Sequence, residues 1–259
     1  LNMLWSALFF QAHRPDWAFA EVCLLWLSIL ALVIVAGRLN ARAGDTLGVH
    51  GPMARSVADV AWLLAVMAGS DPRDRSSLPE PGSTFLAPLE RDFRGTRIAV
   101  TENLGRYPVE HTVTRACNAT RPVFTGLGCD VTEDAPDLEG VDELFQTLRA
   151  HGYALGHRRD LDRHRELLKD TVVWNIERGL ALTPADLARA DAIKASLDAR
   201  VASFFRRYEF LVLPVVQVAP FDVGTQWVRE IEGVPMRTYI DWMATCYAIS
   251  CTGLPAISV

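Results

Sequence analysis

Hydroxyl side chains that could act as nucleophiles stand next to each other at Ser76 and Ser77. With a lysine as base, such serines could carry out acyl transfer. They lie in the polar run RDRSSLPEPGS, which lacks a glycine-rich loop to present backbone N–H groups to an oxyanion. The two lysines of the chain, Lys169 and Lys194, fall inside predicted helices among charged neighbours. We therefore interpret the serine pair as part of a solvated loop and both lysines as exposed helix residues.

Side chains of the kind that bind metal ions occur close together at His157, Asp160, Asp162 and His164. The seven-residue spacing places the two histidines near one face of a helix. Arginines surround them and would repel a cation, so we predict no metal site here. A Ser-His-Asp hydrolase is excluded because no G-x-S-x-G motif occurs. The sequence predicts neither a metal nor a cofactor.

The composition is that of a folded globular chain without a nucleic-acid surface. Of the 259 residues, 50% are hydrophobic and 22% are charged, which is enough apolar material for a core. The net charge is −5, and the basic residues form no run interleaved with aromatics. We attribute the excess of arginine over lysine to the coding bias of a GC-rich genome. No nucleic-acid partner is predicted, and the sequence assigns no oligomeric state.

Cysteine usage favours a cytoplasmic protein. The odd count and the lack of a C-x-x-C pair argue against both a disulfide framework and a zinc site. We expect buried, reduced thiols. The five cysteines are Cys23, Cys117, Cys129, Cys246 and Cys251.

The first 44 residues are rich in Trp and Leu and poor in Gly, which divides the chain into segments 1–44 and 45–259. Residues 22–37 carry no charge but are fewer than the roughly 20 that a membrane helix needs. A segment of residues 17–37 is long enough to cross a membrane, but it contains the charged residue Glu21. Two arginines follow it, as they would in an anchor that obeys the positive-inside rule. Three interpretations stay open: a membrane anchor, a buried helix, and a region translated in a shifted reading frame. We favour the last two.

From Gly48 onward the chain reads as alternating helix and strand. Ser56 is a predicted N-cap and Asp59 completes a capping box with it. The helix that follows is predicted to end at Gly69. The residues of this helix that we expect to be buried are Val57, Val60, Ala61, Leu64 and Met67.

A strand, a helix and a second strand are predicted within about 35 residues, which is the length of a βαβ unit. The strands are Arg97–Thr101 and Cys129–Thr132, and the helix is Glu110–Leu127 with a kink at Pro122. A sheet with parallel character is therefore expected.

Helices dominate the second half of the chain. Thr183, Pro184 and Asp186 combine an N-cap, a proline at the first helical position and an acid at the third. The run FLVL is apolar throughout, so we expect that strand to be covered on both faces. The predicted elements are, in order, helices Val141–His151, Arg159–Glu177 and Thr183–Arg207, strand Phe210–Leu213, helix Tyr239–Ile249 and strand Ala256–Val259.

Several motifs, in this order, are similar to those of amidase-signature hydrolases. The resemblance runs from Leu47 to the end of the chain and covers the C-terminal half of the family's domain, truncated at both ends. The segments that carry it are Gly51–Asp59 (GPMARSVAD), Asp71–Asp74 (DPRD), Tyr208–Pro214 (YEFLVLP), Tyr239–Met243 (YIDWM) and Ser250–Val259 (SCTGLPAISV).

The resemblance implies an α/β domain whose mixed central β-sheet is covered by helices on both faces, here incomplete. It also implies hydrolysis of carboxylic amides by a serine nucleophile, a second serine with a cis peptide bond, and a lysine. In the family these residues precede the position of Gly51. Before Gly51 this sequence has no lysine and no Gly-Ser-rich run, and Ser6, flanked by Trp5 and Ala7, is assigned no role.

We therefore predict no catalytic residue in this chain and interpret it as an amidase fragment that is inactive as given. The alternative is a catalytically inactive α/β remnant or binding protein, tethered to a membrane through residues 17–37.

The best candidates for contact with a small-molecule amide substrate are Tyr239, Trp242 and Met243. Aromatic and methionine side chains beside a long loop commonly line apolar ligand clefts. A helix that packs into the core would use the same residue types, so both interpretations stay open.

Overall fold

The computed structural model describes residues 47–48, 51–72 and 79–259. The chain divides into two compact units between Glu90 and Arg91. The apolar segment 17–37, the predicted boundary at residue 44 and the serine pair Ser76–Ser77 lie outside the described residues. Within the described ranges, no helix is both long and apolar enough to cross a bilayer.

The described part of the first unit contains one α-helix and one 3-10 turn. Helix α1 spans Val57–Met67 and the 3-10 turn spans Gly82–Leu86. Ser56 caps the helix by accepting from the backbone N–H of Asp59 at 3.1 Å, and its hydroxyl donates to the Asp59 carboxylate at 2.8 Å. A glycine is required at Gly82, because a Cβ there would lie 2.0 Å from the carbonyl oxygen of Ala65.

The expected burial of α1 is wrong. No residue of the helix is buried, and side chains such as Val57 and Met67 remain exposed. Within the described part of this unit, the packing partner of α1 is the short 3-10 turn, which is too small to cover an eleven-residue helix. Periodicity identifies the helix, but burial depends on a partner surface that the helix does not carry.

The second unit is built on a parallel three-stranded sheet in the order β2-β1-β3. The strands are β1 Arg97–Val100, β2 Asp130–Glu133 and β3 Phe210–Val212. Strand β1 is central and its last three residues are buried. The prediction that β3 is covered on both faces is wrong, because Phe210 is 46% exposed and the other two residues of the strand are only half-buried.

Two short helices connect β1 to β2, which confirms the βαβ unit. Helix α2 spans His111–Asn118 and helix α3 spans Arg121–Gly126. The single helix predicted here is divided, because Pro122 occupies the first turn of α3 and cannot continue a helix from the preceding residues.

Three longer helices follow. Helix α4 spans Val141–His164, helix α5 spans Asp170–Leu180 and helix α6 spans Pro184–Phe205. The predicted end of α4 at His151 is wrong, and so is the start of the next helix at residue 159. Helix α4 continues through two glycines at 152 and 156, which lower helix propensity without breaking the hydrogen-bond ladder.

The capping box at the start of α6 is confirmed. The Thr183 hydroxyl accepts from the backbone N–H of Asp186, and the Asp186 carboxylate accepts from the backbone N–H of Thr183. The hydroxyl of Thr183 and the side chain of Arg189 also donate to this carboxylate, and together these bonds lower the pKa of Asp186.

The C-terminal region contains a hairpin, a 3-10 turn and a last helix. Strands β4 Glu230–Ile231 and β5 Val234–Pro235 pair antiparallel, and their two-residue turn places both Glu232 and Gly233 at positive φ. This is the geometry of a type I′ turn, in which glycine is favoured. The 3-10 turn Asp241–Met243 leads into helix α7 Ala244–Ser250, so the predicted helix from residue 239 begins later than expected.

The predicted final strand is wrong. Residues 256–259 form no regular secondary structure and pair with no strand in the described part of the chain, and all four are exposed. A strand requires a neighbour to accept its backbone hydrogen bonds.

The cysteine prediction is confirmed in part. Cys129 and Cys251 are buried and free, and Cys117 is half-buried, whereas Cys246 is exposed. Burial raises the pKa of the Cys251 thiol to about 12, because a thiolate would lose its hydration there. Cys23 lies outside the described residues.

Candidate functional site

The turn that carries the candidate residues is held by its own polar side chains. The Asp241 carboxylate accepts from the backbone N–H groups of Arg237 and Thr238 at 2.8 and 3.0 Å, and from the Thr238 hydroxyl at 2.8 Å. These bonds close the chain into a tight turn immediately before α7. Tyr239 and Trp242 project from this turn.

Tyr239 faces helices α4 and α5. Its hydroxyl oxygen accepts from Arg149 Nη2 at 3.2 Å and Nε at 3.4 Å, and from Asn175 Nδ2. Trp174 packs against the Tyr239 ring edge-on, with centroids 5.9 Å apart. Asn175 is 1% exposed and also donates to the carbonyl of Thr171 at 2.7 Å, so its amide hydrogens are both used.

Arg149 lies among aromatic rings. Its guanidinium carbon is 5.0 Å from the ring centroid of Tyr153 and 5.8 Å from those of Phe145 and Tyr239. Such distances allow cation–π attraction with all three rings. Nη2 also donates to the Tyr153 hydroxyl at 3.3 Å, so both tyrosine hydroxyl groups orient the guanidinium.

Trp242 faces a different group of neighbours. It packs against a small apolar cluster of Val218, Ile231 and Met236, and the ring of Phe221 lies edge-on at 5.4 Å. Its indole Nε1 is buried and has no hydrogen-bond acceptor in the described part of the chain. Trp242 thus joins the turn to the β4–β5 hairpin.

The three predicted residues are therefore adjacent in the chain but do not share one set of neighbours. Tyr239 contacts α4 and α5, Trp242 contacts the hairpin cluster, and Met243 is half-buried on the same turn. Arg149 and Asn175 belong to none of the motifs recognised in the sequence. One signal was available, because Asn175 is a polar residue on the apolar face of the amphipathic helix α5.

A second polar cluster centres on Asp142 at the start of α4. Its carboxylate accepts from the hydroxyl groups of Tyr107 at 2.8 Å and Tyr247 at 2.7 Å, and from Arg106 Nη2 at 2.8 Å. The ring of Tyr247 stacks on Phe145 with centroids 4.2 Å apart. The cluster ties the loop after β1 to α4 and α7, the two helices that flank the turn bearing Tyr239.

Burial and the Asp142 carboxylate raise the pKa values of Tyr107 and Tyr247, which are 8% and 4% exposed. In an unfolded chain both tyrosines would ionise near pH 10. Above that pH the folded protein holds more protons than the unfolded one, so its free energy of unfolding falls as pH rises. We expect the free energy of unfolding of Tyr247→Phe to fall less steeply with pH than that of the wild type. Above pH ~10 the difference should be about 1.4 kcal/mol per pH unit.

Urea unfolding of both proteins at a series of pH values tests this expectation. Between pH ~7 and ~9 the slopes of wild type and variant should coincide, because the tyrosine is protonated in both states. Equal slopes above pH ~10 would contradict the assignment of Tyr247 as a buried, protonated donor.

The rival groups from the sequence analysis do not form a site. His157 Nδ1 lies 3.0 Å from Asp160 Oδ2 one helical turn away, and both side chains are about half exposed. Across the described ranges, no three potential metal ligands are grouped to hold an ion. Lys194 forms an ion pair with Asp198 at 2.5 Å, and Lys169 is exposed before α5.

Comparison with known families gives two matches. The amidase family model matches residues 35–259, and the model of the TspO/MBR family matches residues 1–48. The first confirms the resemblance stated for Leu47 to the end of the chain.

Curated relatives agree with the amidase match. The chain is 29% identical to an acylamidase of Rhodococcus erythropolis over 234 residues, which are 89% of this chain and 48% of that protein. It is 26% identical to an amidase of Pseudomonas putida, covering 81% of this chain and 45% of that protein. The chain therefore spans about half the length of the curated relatives that it matches.

Solved structures show the same fold. A bacterial aryl acylamidase belonging to the amidase signature enzymes superposes with a TM-score of 0.70 at 22% identity, over 78% of this chain and 44% of that chain. A structure described as an amidase gives a TM-score of 0.63 at 25% identity, over 78% and 43% of the two chains. The predicted α/β class is confirmed, with a parallel sheet flanked by helices.

Proposed function

Because the chain belongs to the amidase signature family, we propose that it is part of a hydrolase that cleaves the C–N bond of small carboxylic amides. The proposed mechanism uses a serine nucleophile, a second serine in a cis peptide and a lysine, all located outside residues 51–259. Residues 51–259 provide the scaffold and one wall of the substrate site. By itself this chain is then inactive.

The interactions of the serines support this division. Four of them bind carboxylate, arginine or backbone partners through their hydroxyl groups, and no serine within the described ranges forms a hydrogen bond with a lysine. A serine nucleophile requires a base within hydrogen-bonding reach. The serines concerned are Ser56, Ser196, Ser203 and Ser250.

The observation that carries the proposal for a substrate wall is the environment of Tyr239. A polar hydroxyl lies among aromatic rings, and two donors from separate helices converge on it. Ligand sites commonly combine such an apolar lining with a few converging polar groups. We propose that Tyr239 contacts the substrate, and that Trp242 and Met243 shape the same wall from the adjacent turn.

The free cysteines support a cytoplasmic location as part of the proposal. The four in the described residues form no disulfide, and Cys246 is exposed. Thiols of this kind persist in a reducing compartment.

The purified 259-residue chain is expected to leave acetamide, benzamide and indoleacetamide unhydrolysed above the buffer background. Its serines should also fail to form an adduct with a fluorophosphonate probe, because no base activates them. Turnover that survives purification and disappears when a serine between residues 51 and 259 is replaced would contradict the proposal.

A chimera tests the scaffold role directly. The first half of the Rhodococcus erythropolis acylamidase would be joined before Gly51, and benzamide hydrolysis would be measured. The matched control replaces the nucleophilic serine of the donor half by alanine, which should lower the rate on the order of 10⁴-fold. A chimera that melts cooperatively yet hydrolyses none of the three amides would count against the proposal.

A further inference from the structure

Arg149 differs from the other half-buried arginines of the described residues. Arg121 forms an ion pair with Glu133 at 3.3 Å, and Arg200 forms one with Asp137 at 3.3 Å. Arg149 has no carboxylate within 4.0 Å in the same part of the chain, and its hydrogen-bond partners are the hydroxyl groups of Tyr153 and Tyr239. A partly desolvated guanidinium without an anion is unfavourable unless an anion binds to it.

Arg149 and Tyr239 each keep a donor that no described residue uses. Nε and Nη2 of Arg149 are occupied by the two tyrosines, whereas Nη1 makes no hydrogen bond in the described part of the chain. The Tyr239 oxygen accepts from both Arg149 and Asn175, so its own O–H can still donate. The two N–H groups of Nη1 and the phenol hydroxyl of Tyr239 are thus left without an acceptor in the described residues.

The surroundings favour a carboxylate over a solvated chloride or phosphate. Aromatic rings of Phe145 and Tyr153 lie against the guanidinium, and Trp174 lies against Tyr239. These rings lower the local dielectric constant, which strengthens the attraction of the guanidinium for an anion and favours a ligand whose body is apolar. The remaining N–H groups of Arg149, on Nη1, can donate charge-assisted hydrogen bonds to a carboxylate oxygen.

We propose that Arg149 and Tyr239 bind the carboxylate group of an aromatic amide substrate. The assignment of the ligand as a substrate rests on the proposed hydrolase function, but the binding of an aromatic carboxylate does not. Asn175 is a positioning residue in this site, because it holds the Tyr239 oxygen and lies too deep to reach the ligand.

Isothermal titration calorimetry of the 259-residue chain with benzoate tests the proposal, with benzamide as the neutral probe of the same shape. Benzoate should bind saturably, and more tightly than benzamide. Arg149→Met should weaken benzoate binding about 10-fold or more and Tyr239→Phe about 3-fold or more, as expected for hydrogen bonds to a charged group. Raising the salt concentration should weaken benzoate binding in the wild type.

The matched control is Arg178→Met. Arg178 lies 5.1 Å from the ring centroid of Trp174, which packs on Tyr239, so its replacement removes one positive charge near the site without removing a hydrogen bond to Tyr239. Benzoate affinity should stay within about 2-fold in this variant. Circular dichroism shows whether each variant is folded, and Tyr239→Phe keeps the test valid if Arg149→Met unfolds.

The inference is overturned if benzoate does not bind, if benzamide binds as tightly, or if folded Arg149→Met and Tyr239→Phe bind benzoate like wild type. These results are independent of turnover. If the chimera hydrolyses amides but the 259-residue chain does not bind benzoate, only the carboxylate site is contradicted. If the chimera is inactive but the chain binds benzoate through Arg149, only the hydrolase proposal is contradicted.

Discussion

Replacing Gly179 by alanine is expected to lower the free energy of unfolding by about 3 kcal/mol, at the upper end of the cost of overpacking. Gly179 lies in α5 where this helix crosses α4. A Cβ at this position would lie 2.0 Å from the carbonyl oxygen of Ala150 and 2.8 Å from the Cβ of Ala154. Both atoms belong to α4 itself, so the two helices must separate.

The separation would also affect the candidate site. Asn175 lies one helical turn before Gly179 and donates to Tyr239, and Arg149 precedes Ala150 on the opposing helix. Movement of α5 away from α4 would therefore draw Asn175 away from the Tyr239 hydroxyl. We expect Gly179→Ala to weaken any ligand binding at Arg149 as well as to destabilise the fold.

Gly152→Ala is the matched control, since it makes the same change in α4 where no atom lies within 4 Å of the added Cβ. It should stabilise the protein by about 0.5–1 kcal/mol, because alanine loses less conformational entropy in a helix. Urea unfolding monitored by circular dichroism measures both variants. If the two substitutions shift the midpoint equally, close packing at Gly179 is not the reason for its glycine.

Gln217→Leu is the second substitution with a large expected effect, about 2–5 kcal/mol. The side chain of Gln217 is fully buried, and its amide group connects two parts of the chain. Nε2 donates to the carbonyl of Pro108 at 2.9 Å, and Oε1 accepts from the backbone N–H of Ala244 at the start of α7. Leucine of similar volume leaves both backbone groups buried without partners, and each loss costs about 1–3 kcal/mol.

The same loop makes further bonds that Gln217→Leu leaves in place. The backbone carbonyl of Gln217 accepts from the N–H of Glu110 at 2.8 Å, and the Glu110 carboxylate accepts from the N–H of Ala219 at 2.8 Å. We therefore expect a native but less stable protein, with a lower urea midpoint. Gln226→Leu, at an exposed position of the same loop region, should change stability by less than about 0.5 kcal/mol. A loss at Gln226 as large as that at Gln217 would contradict this assignment.

Local signals in the sequence predicted local structure well. The capping box of Thr183 and Asp186 marks the start of α6, and the alternation of apolar strand and helix between residues 97 and 133 predicts the βαβ unit. Both depend on residues a few positions apart, whose interactions form wherever the segment is placed. The motif order from Gly51 to Val259 was also sufficient to identify the family.

Boundaries set by packing were predicted poorly. Helix α4 runs to His164 through two glycines, and the last four residues form no strand. Helix propensity at a glycine differs from that at alanine by only about 1 kcal/mol, which contacts with a neighbouring helix readily outweigh. The extent of an element then depends on its partner rather than on its own residues.

The sequence by itself determined the family and the α/β class, and it selected Tyr239 as a candidate residue, although it placed this residue in a helix. Only the tertiary structure decided that Tyr239 meets Arg149, 90 positions away, and Asn175, 64 positions away, while Trp242 on the same turn packs into a different cluster. The physical reason is that periodicity specifies which side of a helix faces inward, whereas the crossing of α4 and α5 specifies what it faces. An arginine without a carboxylate becomes recognisable only when all of its neighbours are in place.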